Sequence, residues 1–238
     1  MKYIIWQMKK RMNLQTFLYS ICFALLVGYW SDKRNGLLVG ALGGVPDNGS
    51  GALELLCLGK WLFLYAFFFF IICRELIVDE RIFGFTVYRF RSFKTWWRMH
   101  FCSVLTANAV VYTFVSFLWW TADRINGQSN NKALVIYMIF LLHLSCMAGI
   151  ILLFDYLTAN KLAPCILIIT EGILYVLSVR YRIPWLACGM FCRIAFCVDD
   201  GFPAVICVVE ILVTCLCYLA VPLLSKSSAG REKRWRIL

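Results

Sequence analysis

Six long apolar stretches run along the chain, and shorter polar or glycine-rich stretches separate them. Each has about the length of a helix that crosses a ~30 Å hydrocarbon core, which takes roughly 20 residues. The six are Leu14–Trp30, Leu53–Cys73, His100–Trp120, Ala133–Phe154, Pro164–Val179 and Ala204–Leu224. Runs such as Ala66–Cys73 are apolar on every side, whereas a barrel strand would alternate apolar and polar residues. The pattern therefore predicts an all-α polytopic membrane protein, with six transmembrane helices in a single domain over residues 1–238.

Two of the remaining segments predict simple surface structures. In residues 1–13, Ile4, Met8 and Met12 recur at helical spacing, and the lysines fall mostly elsewhere on the wheel. An apolar face beside a basic one is typical of an interfacial helix that lies on the membrane. The segment Ser31–Gly51 is rich in glycine, which predicts a flexible external loop between the first two helices.

The segment 180–203 is too polar for a span and too apolar for an open loop. We expect an external, re-entrant structure here, because irregular backbone is tolerated at membrane depth only where protein or water surrounds it. Cys188, Cys192 and Cys197 lie in this segment. A disulfide among them and a fully reduced state both stay open.

The placement of the basic residues predicts the orientation of the chain. The net charge is +11 although 62% of the residues are hydrophobic. The richest groups are Lys2, Lys9, Lys10 and Arg11 in the head, Arg74, Arg81, Arg89, Arg91, Lys94 and Arg98 after the second helix, and Lys226, Arg231, Lys233, Arg234 and Arg236 in the tail. Positive charge favours the cytoplasmic side, so both termini are expected there. Charges at membrane edges point to lipid rather than to nucleic acid as their partner.

The cytoplasmic segment 74–100 is unlike a random linker, because aromatic and basic residues alternate along it. Ser92 is a candidate N-cap, after which Phe93, Trp96 and Trp97 share one helical face. We expect a short in-plane helix or elbow that packs against a partner. An aromatic-belt anchor for the third span is the alternative for Trp96 and Trp97.

Two carboxylates fall inside predicted spans, Glu171 in the fifth and Glu210 in the sixth. A charge at the helix centre costs about 2.5–3.5 kcal/mol on insertion scales, so each needs a partner, a cavity or a proton. They are candidates for lining a substrate path, and structural hydrogen bonding is the alternative. His143 in the fourth span has no second histidine or carboxylate at ligand spacing, so we expect no metal site.

The run from Tyr88 to Arg98 resembles the ABC-2 type permease subunits of bacterial bacteriocin and lantibiotic export or immunity systems. These subunits often have an aromatic–Arg–aromatic–basic–Ser run, followed by a basic-Trp patch, before their third helix. The resemblance implies a multi-pass protein of the bacterial cytoplasmic membrane that moves a peptide or other amphipathic substrate. It also implies that the segment around Ile82–Ser92 is a coupling helix. The implied contacts with an ATPase are Phe83, Phe85, Tyr88, Arg89, Phe90, Arg91 and Ser92.

The same resemblance implies partners that carry the chemistry. A separate ATP-binding subunit, in two copies, would hold ATP and Mg, and a second permease would be identical or homologous. The sequence agrees, because no G-x-x-x-x-G-K-[ST] loop is present: Gly59-Lys60 is followed by Trp61. We therefore expect no catalytic residue and no cofactor in this chain.

The sequence can be compared with two functions other than transport. An intramembrane protease of the CAAX type would need a Glu-Glu pair and histidines on facing helices, and the sequence contains only His100 and His143 and no such pair. A non-transporting scaffold or accessory protein, whose cytoplasmic segment docks a partner, stays open. Neither substrate identity nor the direction of transport follows from the residues.

Overall fold

A computed structural model describes residues 5, 12–31, 36–44, 55–87, 90, 92–128, 132–158, 162–183 and 202–227. All regular secondary structure in these ranges is helical, which confirms the all-α part of the predicted fold. The helices are α1 (Leu14–Trp30), α2 (Leu37–Leu42), α3 (Leu55–Val87), α4 (Phe93–Ile125), α5 (Ala133–Thr158), α6 (Ala163–Tyr181) and α7 (Phe202–Ser227).

Five of these helices are long and apolar enough to cross a membrane. Their apolar parts are Leu55–Ile72, Phe93–Ile125, Ala133–Leu157, Ala163–Tyr181 and Ala204–Leu223. Helix α1 has the predicted bounds but only 17 residues, at the short end of the spanning range. The chain is therefore a multi-pass membrane protein, and the sixth span stays a prediction.

The outer faces of the spanning helices are apolar. Phe70 on α3 is 59% exposed, Ile169 on α6 61% and Leu216 on α7 65%. In water, large apolar side chains exposed over several neighbouring helices would cause aggregation. In a membrane they contact lipid tails, which are equally apolar. These faces are therefore suited to contact with lipid.

Helix α4 corrects the prediction of a separate in-plane helix after Ser92. Ser92 is the N-cap, as expected, and its side chain accepts a hydrogen bond from the Thr95 amide at 3.2 Å. The helix then runs without a break to Ile125, because no proline or glycine interrupts it. Trp96 and Trp97 are buried against other helices instead of facing lipid, so the aromatic-belt reading is also wrong for them.

Helix α2 corrects the prediction of a flexible loop in the part of Ser31–Gly51 that the structure describes around it, residues 36–44. Its residues Leu38 and Leu42 are buried, and the Asp123 carboxylate of α4 accepts from the Leu37 and Leu38 amides at 2.6 and 3.1 Å. Gly36 precedes the helix with φ of 92°, and a Cβ there would lie 3.0 Å from the Asp123 carboxylate. Glycine thus supplies the backbone conformation and the close approach together.

Helix α7 contains Pro222, which cannot donate the helical hydrogen bond to the carbonyl of Tyr218, four residues earlier. The indole N–H of Trp97 on α4 donates to this oxygen instead, at 3.1 Å. A neighbouring helix therefore satisfies the backbone group that the proline frees, which the membrane interior requires.

Several predictions fall outside the described residues. These are most of the interfacial helix in residues 1–13, the coupling residues Tyr88, Arg89 and Arg91, and the external segment from 184 to 201 with its three cysteines. Helix α3 continues to Val87, so Phe83 and Phe85 lie on a helix, but their side chains are outside the description as well.

Candidate functional site

The two predicted intramembrane carboxylates meet at a single histidine. His143 Nδ1 lies 2.6 Å from Glu210 Oε1, and His143 Nε2 lies 3.2 Å from Glu171 Oε1. One imidazole ring therefore bridges three helices, with His143 on α5, Glu171 on α6 and Glu210 on α7. We call these three residues the Glu–His–Glu cluster.

Close packing of the helices brings the cluster together. On α5, a Cβ at Gly149 would lie 3.4 Å from the Cys217 Cβ on α7 and 3.4 Å from the Phe101 ring on α4. A Cβ at Gly172, beside Glu171, would lie 3.5 Å from the Leu62 side chain on α3. Small residues at such contacts let helix backbones approach closely in membranes. A Cβ at either glycine would be in ordinary van der Waals contact, so both positions lie at close helix contacts that would also accept alanine.

All three members of the cluster are buried. His143 and Glu171 are 0% exposed, and Glu210 is 5% exposed. The second carboxylate oxygen of Glu210, Oε2, is buried and makes no hydrogen bond in the part of the chain that the structure describes. Removing one partner from a buried ion pair typically costs about 3–5 kcal/mol, because the other charge is left uncompensated. The cluster therefore couples three helices strongly.

The surroundings of the cluster are aromatic next to His143 and carry a hydroxyl group next to Glu210. The Tyr65 ring of α3 lies edge-on to the His143 ring, with centroids 5.4 Å apart. Tyr65 also stacks on Phe140, which is on the same helix as His143. Near Glu210, the Thr214 hydroxyl donates to the Glu210 backbone carbonyl at 2.7 Å. The cluster thus sits in a packed, low-dielectric environment where its hydrogen bonds are strengthened.

The chemistry of this arrangement is proton transfer and ion pairing. A histidine between two carboxylates can pass a proton from one to the other, and chains of Asp, Glu and His form proton relays in membrane transporters. Among the described residues, no group of three His, Cys, Asp or Glu side chains is arranged to hold a metal ion. Both ring nitrogens of His143 face carboxylates, so neither is available to a water molecule, as a hydrolase of the CAAX type would need.

The sequence identified Glu171 and Glu210 but missed the residue that joins them. The neighbours of His143 in sequence predict no partner for it, because its carboxylate partners come from two other helices. The available signal was the cost of burial, since three ionisable residues in three adjacent spans all need partners. The prediction that Glu171 and Glu210 line a substrate path stays a prediction.

A second cluster lies at the other end of the same helices, near the start of α4. Phe93 and Trp97 each lie 5.9 Å from the Tyr156 ring of α5, between ring centroids. Trp97 also donates to Tyr218 on α7, and Trp96 packs beside Phe93 at 5.5 Å. We call Phe93, Trp96, Trp97, Tyr156 and Tyr218 the aromatic cluster.

The aromatic cluster is continuous with the predicted coupling segment. Phe90 is partly buried against the core, and Ser92 is exposed and caps α4. As predicted, Phe93, Trp96 and Trp97 share one face, and Lys94 and Arg98 are exposed on another. A displacement of the segment before Ser92 would therefore act directly on α4, and through the aromatic cluster on α5 and α7.

Comparison with known proteins yields no relative, since no protein-family model, curated protein or solved structure matches the chain.

Proposed function

We propose that this chain is the membrane-spanning permease subunit of an ABC transporter in a bacterial cytoplasmic membrane. It moves a peptide or other amphipathic substrate, with ATP hydrolysed by a separate subunit. The observation that carries the proposal is the Glu–His–Glu cluster, which ties three spanning helices together with buried ionisable groups. Ionisable residues at this depth are expensive, and by default they mark a substrate or ion pathway.

The predicted cytoplasmic segment of the chain supports the proposal of a separate ATPase subunit. The residues from Tyr88 to Arg98 resemble the coupling region of ABC-2 permeases, and the sequence has no phosphate-binding loop of its own. A push on this region reaches α5 and α7 through the aromatic cluster, and these two helices hold His143 and Glu210. Nucleotide-driven movement of the partner would thus bias the arrangement of helices around the Glu–His–Glu cluster.

The first experiment tests the ATPase partner. The chain is co-expressed with ATP-binding cassette proteins encoded beside it and purified, and the ATPase activity that co-purifies is measured. Replacing Arg89 and Arg91 with Glu is expected to remove most of this activity, because the docking charges are reversed. A matched control makes the same change at Lys233 and Arg234 in the tail, which is predicted to lie on the same side. Equal ATPase activity in both variants would contradict the proposed docking site.

The second experiment tests transport in proteoliposomes that contain the complex, with a fluorescent cationic amphipathic peptide as the probe. Glu171→Gln and Glu210→Gln are expected to lower ATP-driven uptake while the ATPase still co-purifies. Asp123→Asn is the control, since Asp123 is a buried carboxylate that caps α2 away from the cluster. Uptake as fast in the two glutamine variants as in the control would remove the cluster from the transport mechanism.

A non-transporting scaffold that docks a cytoplasmic partner is the second candidate. The complete burial of His143 and Glu171 favours it, because a cluster with this packing also serves as a structural staple. The same two experiments separate the candidates. A scaffold keeps a co-purifying partner through Arg89 and Arg91, but shows no ATP-driven uptake with the wild-type chain.

A further inference from the structure

The contacts of His143 fix the minimum number of protons in the Glu–His–Glu cluster. Each ring nitrogen faces a carboxylate oxygen, at 2.6 Å for Glu210 and 3.2 Å for Glu171. An imidazole nitrogen without a proton and a carboxylate oxygen are both acceptors, so each contact is attractive only if one proton lies between its two atoms. The geometry therefore requires two protons.

Two protons leave the three groups with one negative charge. If both lie on His143, the ring carries +1 and the glutamates −1 each, which sums to −1. If one of them moves to a glutamate, the ring is neutral, that glutamate is neutral and the sum is again −1. The position of the protons thus changes nothing about the charge, and only a third proton makes the three groups neutral together.

Within the described part of the chain, the Oε2 atom of Glu210 is a site for that third proton. This atom is buried and makes no hydrogen bond within the described ranges. A buried carboxylate oxygen without a donor loses its hydration without compensation, while a neutral carboxyl group loses far less. The hydrogen bond from His143 to Oε1 acts in the opposite direction, because it favours the carboxylate.

The groups around Glu210 do not supply a competing permanent charge. Its ion pair in the described part of the chain is with His143. Its titratable neighbours are weak acids, the Cys146 thiol on α5 and the Cys207 thiol on α7, which lie close enough to interact electrostatically with Glu210. On the α3 side, the ring of Tyr65 packs on His143. Cys217 on α7 lies next to Cys146. No fixed cation in this set holds Glu210 in its charged form, so its charge depends on His143 and on the third proton.

We propose that the Glu–His–Glu cluster is an intramembrane proton-binding site that takes up one proton on Glu210 Oε2 and releases it again. The proton comes from bulk water and forms one O–H bond, while the two protons at His143 stay in the cluster. No other bond changes, and no oxidant or reductant takes part. The ligand of this site is H⁺ itself.

Binding of this proton alters how α7 is held. With Glu210 charged and both protons on His143, the contact at Oε1 joins two opposite charges; with Glu210 neutral, the charge of the acceptor is lost and the contact is weaker. Uptake of the proton therefore loosens α7 from α5 while Glu171 keeps its contact with the ring. That this loosening serves a transport cycle rests on the permease function proposed above; the proton site itself does not.

The test uses wild-type protein in lipid nanodiscs. The chain contains only two histidines, His100 and His143, so the histidine signals can be assigned with a single variant. Infrared difference spectra record the C=O band of protonated carboxyl groups between about pH 6 and about pH 8, a range in which exposed carboxylates, with ordinary pKa values of about 4, stay ionised. We expect a band that grows as the pH falls. The ¹⁵N signals of His143, assigned by their persistence in His100→Gln, are expected to shift with the same midpoint.

Variants locate the proton. Glu210→Gln is expected to abolish the pH-dependent band, whereas Asp123→Asn, the matched buried carboxylate, is expected to keep it. A band of constant size across the range, or one that survives in Glu210→Gln, would overturn the proposal. If Glu210→Gln does not fold, the wild-type ¹⁵N titration decides alone: His143 signals that do not move between the two pH limits refute the site.

These measurements need neither the ATPase nor a substrate. A chain that binds the proton but neither retains an ATPase nor moves the peptide would keep the proton site and refute the permease. The reverse result, active transport with no titration of the cluster, would refute the proton site alone.

Discussion

The Glu–His–Glu cluster and the aromatic cluster join the same two helices, α5 and α7, by different physical means. The first uses two polar contacts that share the ring of His143. The second uses several ring contacts of 5.5–5.9 Å between centroids and one indole hydrogen bond. A polar cluster fails when one member is lost, because buried charges remain behind. An aromatic cluster loses stability roughly in proportion to the contact area removed.

The two clusters also differ in how they respond to pH. Ring contacts do not depend on protonation, so the aromatic cluster holds α4, α5 and α7 at one end under all conditions. The Glu–His–Glu cluster can change its strength by one proton. Movement of α7 is therefore expected at the end that carries Glu210, with the end at Tyr218 as the fixed point.

The largest expected effect is the loss of stability when the Glu–His–Glu cluster is disrupted. His143→Leu keeps most of the side-chain volume but removes the imidazole contact from the buried carboxylates Glu171 and Glu210, and it is expected to lower the free energy of unfolding by about 3–5 kcal/mol. Unfolding by SDS in mixed micelles measures the change. Adding Glu171→Gln and Glu210→Gln to this variant is expected to recover part of the loss. A loss no larger than that of an ordinary core substitution would mean that the cluster is not charged.

The second-largest expected effect is the loss of stability when the aromatic cluster loses the hydrogen bond that compensates for Pro222. Trp97→Phe keeps a ring in the cluster but removes the donor to the Tyr218 carbonyl, and an unpaired buried acceptor costs about 1–3 kcal/mol. Pro222→Ala restores the helical donor to the same oxygen. Trp97→Phe is therefore expected to cost less in the Pro222→Ala background, which a double-mutant cycle measures. If Trp97→Phe costs the same stability with Pro222 present as in the Pro222→Ala background, the indole of Trp97 does not replace the missing helical hydrogen bond to the Tyr218 carbonyl.

A smaller effect tests the start of α4. Ser92→Ala removes the N-cap and is expected to cost about 1 kcal/mol, since the Thr95 amide loses its acceptor. Ser92→Asp keeps an acceptor and is expected to behave like the wild type. Thermal unfolding of the three proteins in the same detergent makes the comparison. An alanine variant as stable as wild type would show that the helix does not depend on this cap.

The smallest effect is expected on the lipid-facing surface. Leu216 on α7 is 65% exposed, so Leu216→Ala removes contacts with lipid instead of protein and is expected to stay within about 0.5 kcal/mol of wild type. The same SDS titration serves as the measurement. A loss comparable to that of Trp97→Phe would place this face against another protein.

Local patterns predicted the parts of the fold that depend on neighbouring residues. Ser92 was recognisable as an N-cap because the apolar face of Phe93, Trp96 and Trp97 follows it directly. The spans were recognisable because insertion energetics depend on composition and length. The continuity of α4 was missed, since the aromatic and basic residues after Ser92 suggested a surface helix when they belong to the first turns of a span.

Contacts between distant residues were not accessible in the same way. Glu171, His143 and Glu210 each required a partner, but their positions in sequence do not say which helix faces which. Pro222 implied an unsatisfied carbonyl at Tyr218, and nothing in the sequence identified Trp97 as its donor. In Ser31–Gly51 the glycines suggested flexibility, whereas Gly36 allows Asp123 to approach helix α2.

The cap on α2 has a consequence for the biosynthesis of the protein. Asp123 lies 86 residues after Leu37, and its carboxylate accepts a hydrogen bond from the Leu37 amide. A nascent chain must therefore expose the amides of Leu37 and Leu38 until α4 has left the ribosome and entered the bilayer. The connection between the first two hydrophobic segments is thus completed late, and slow insertion of α4 would leave it accessible to proteases.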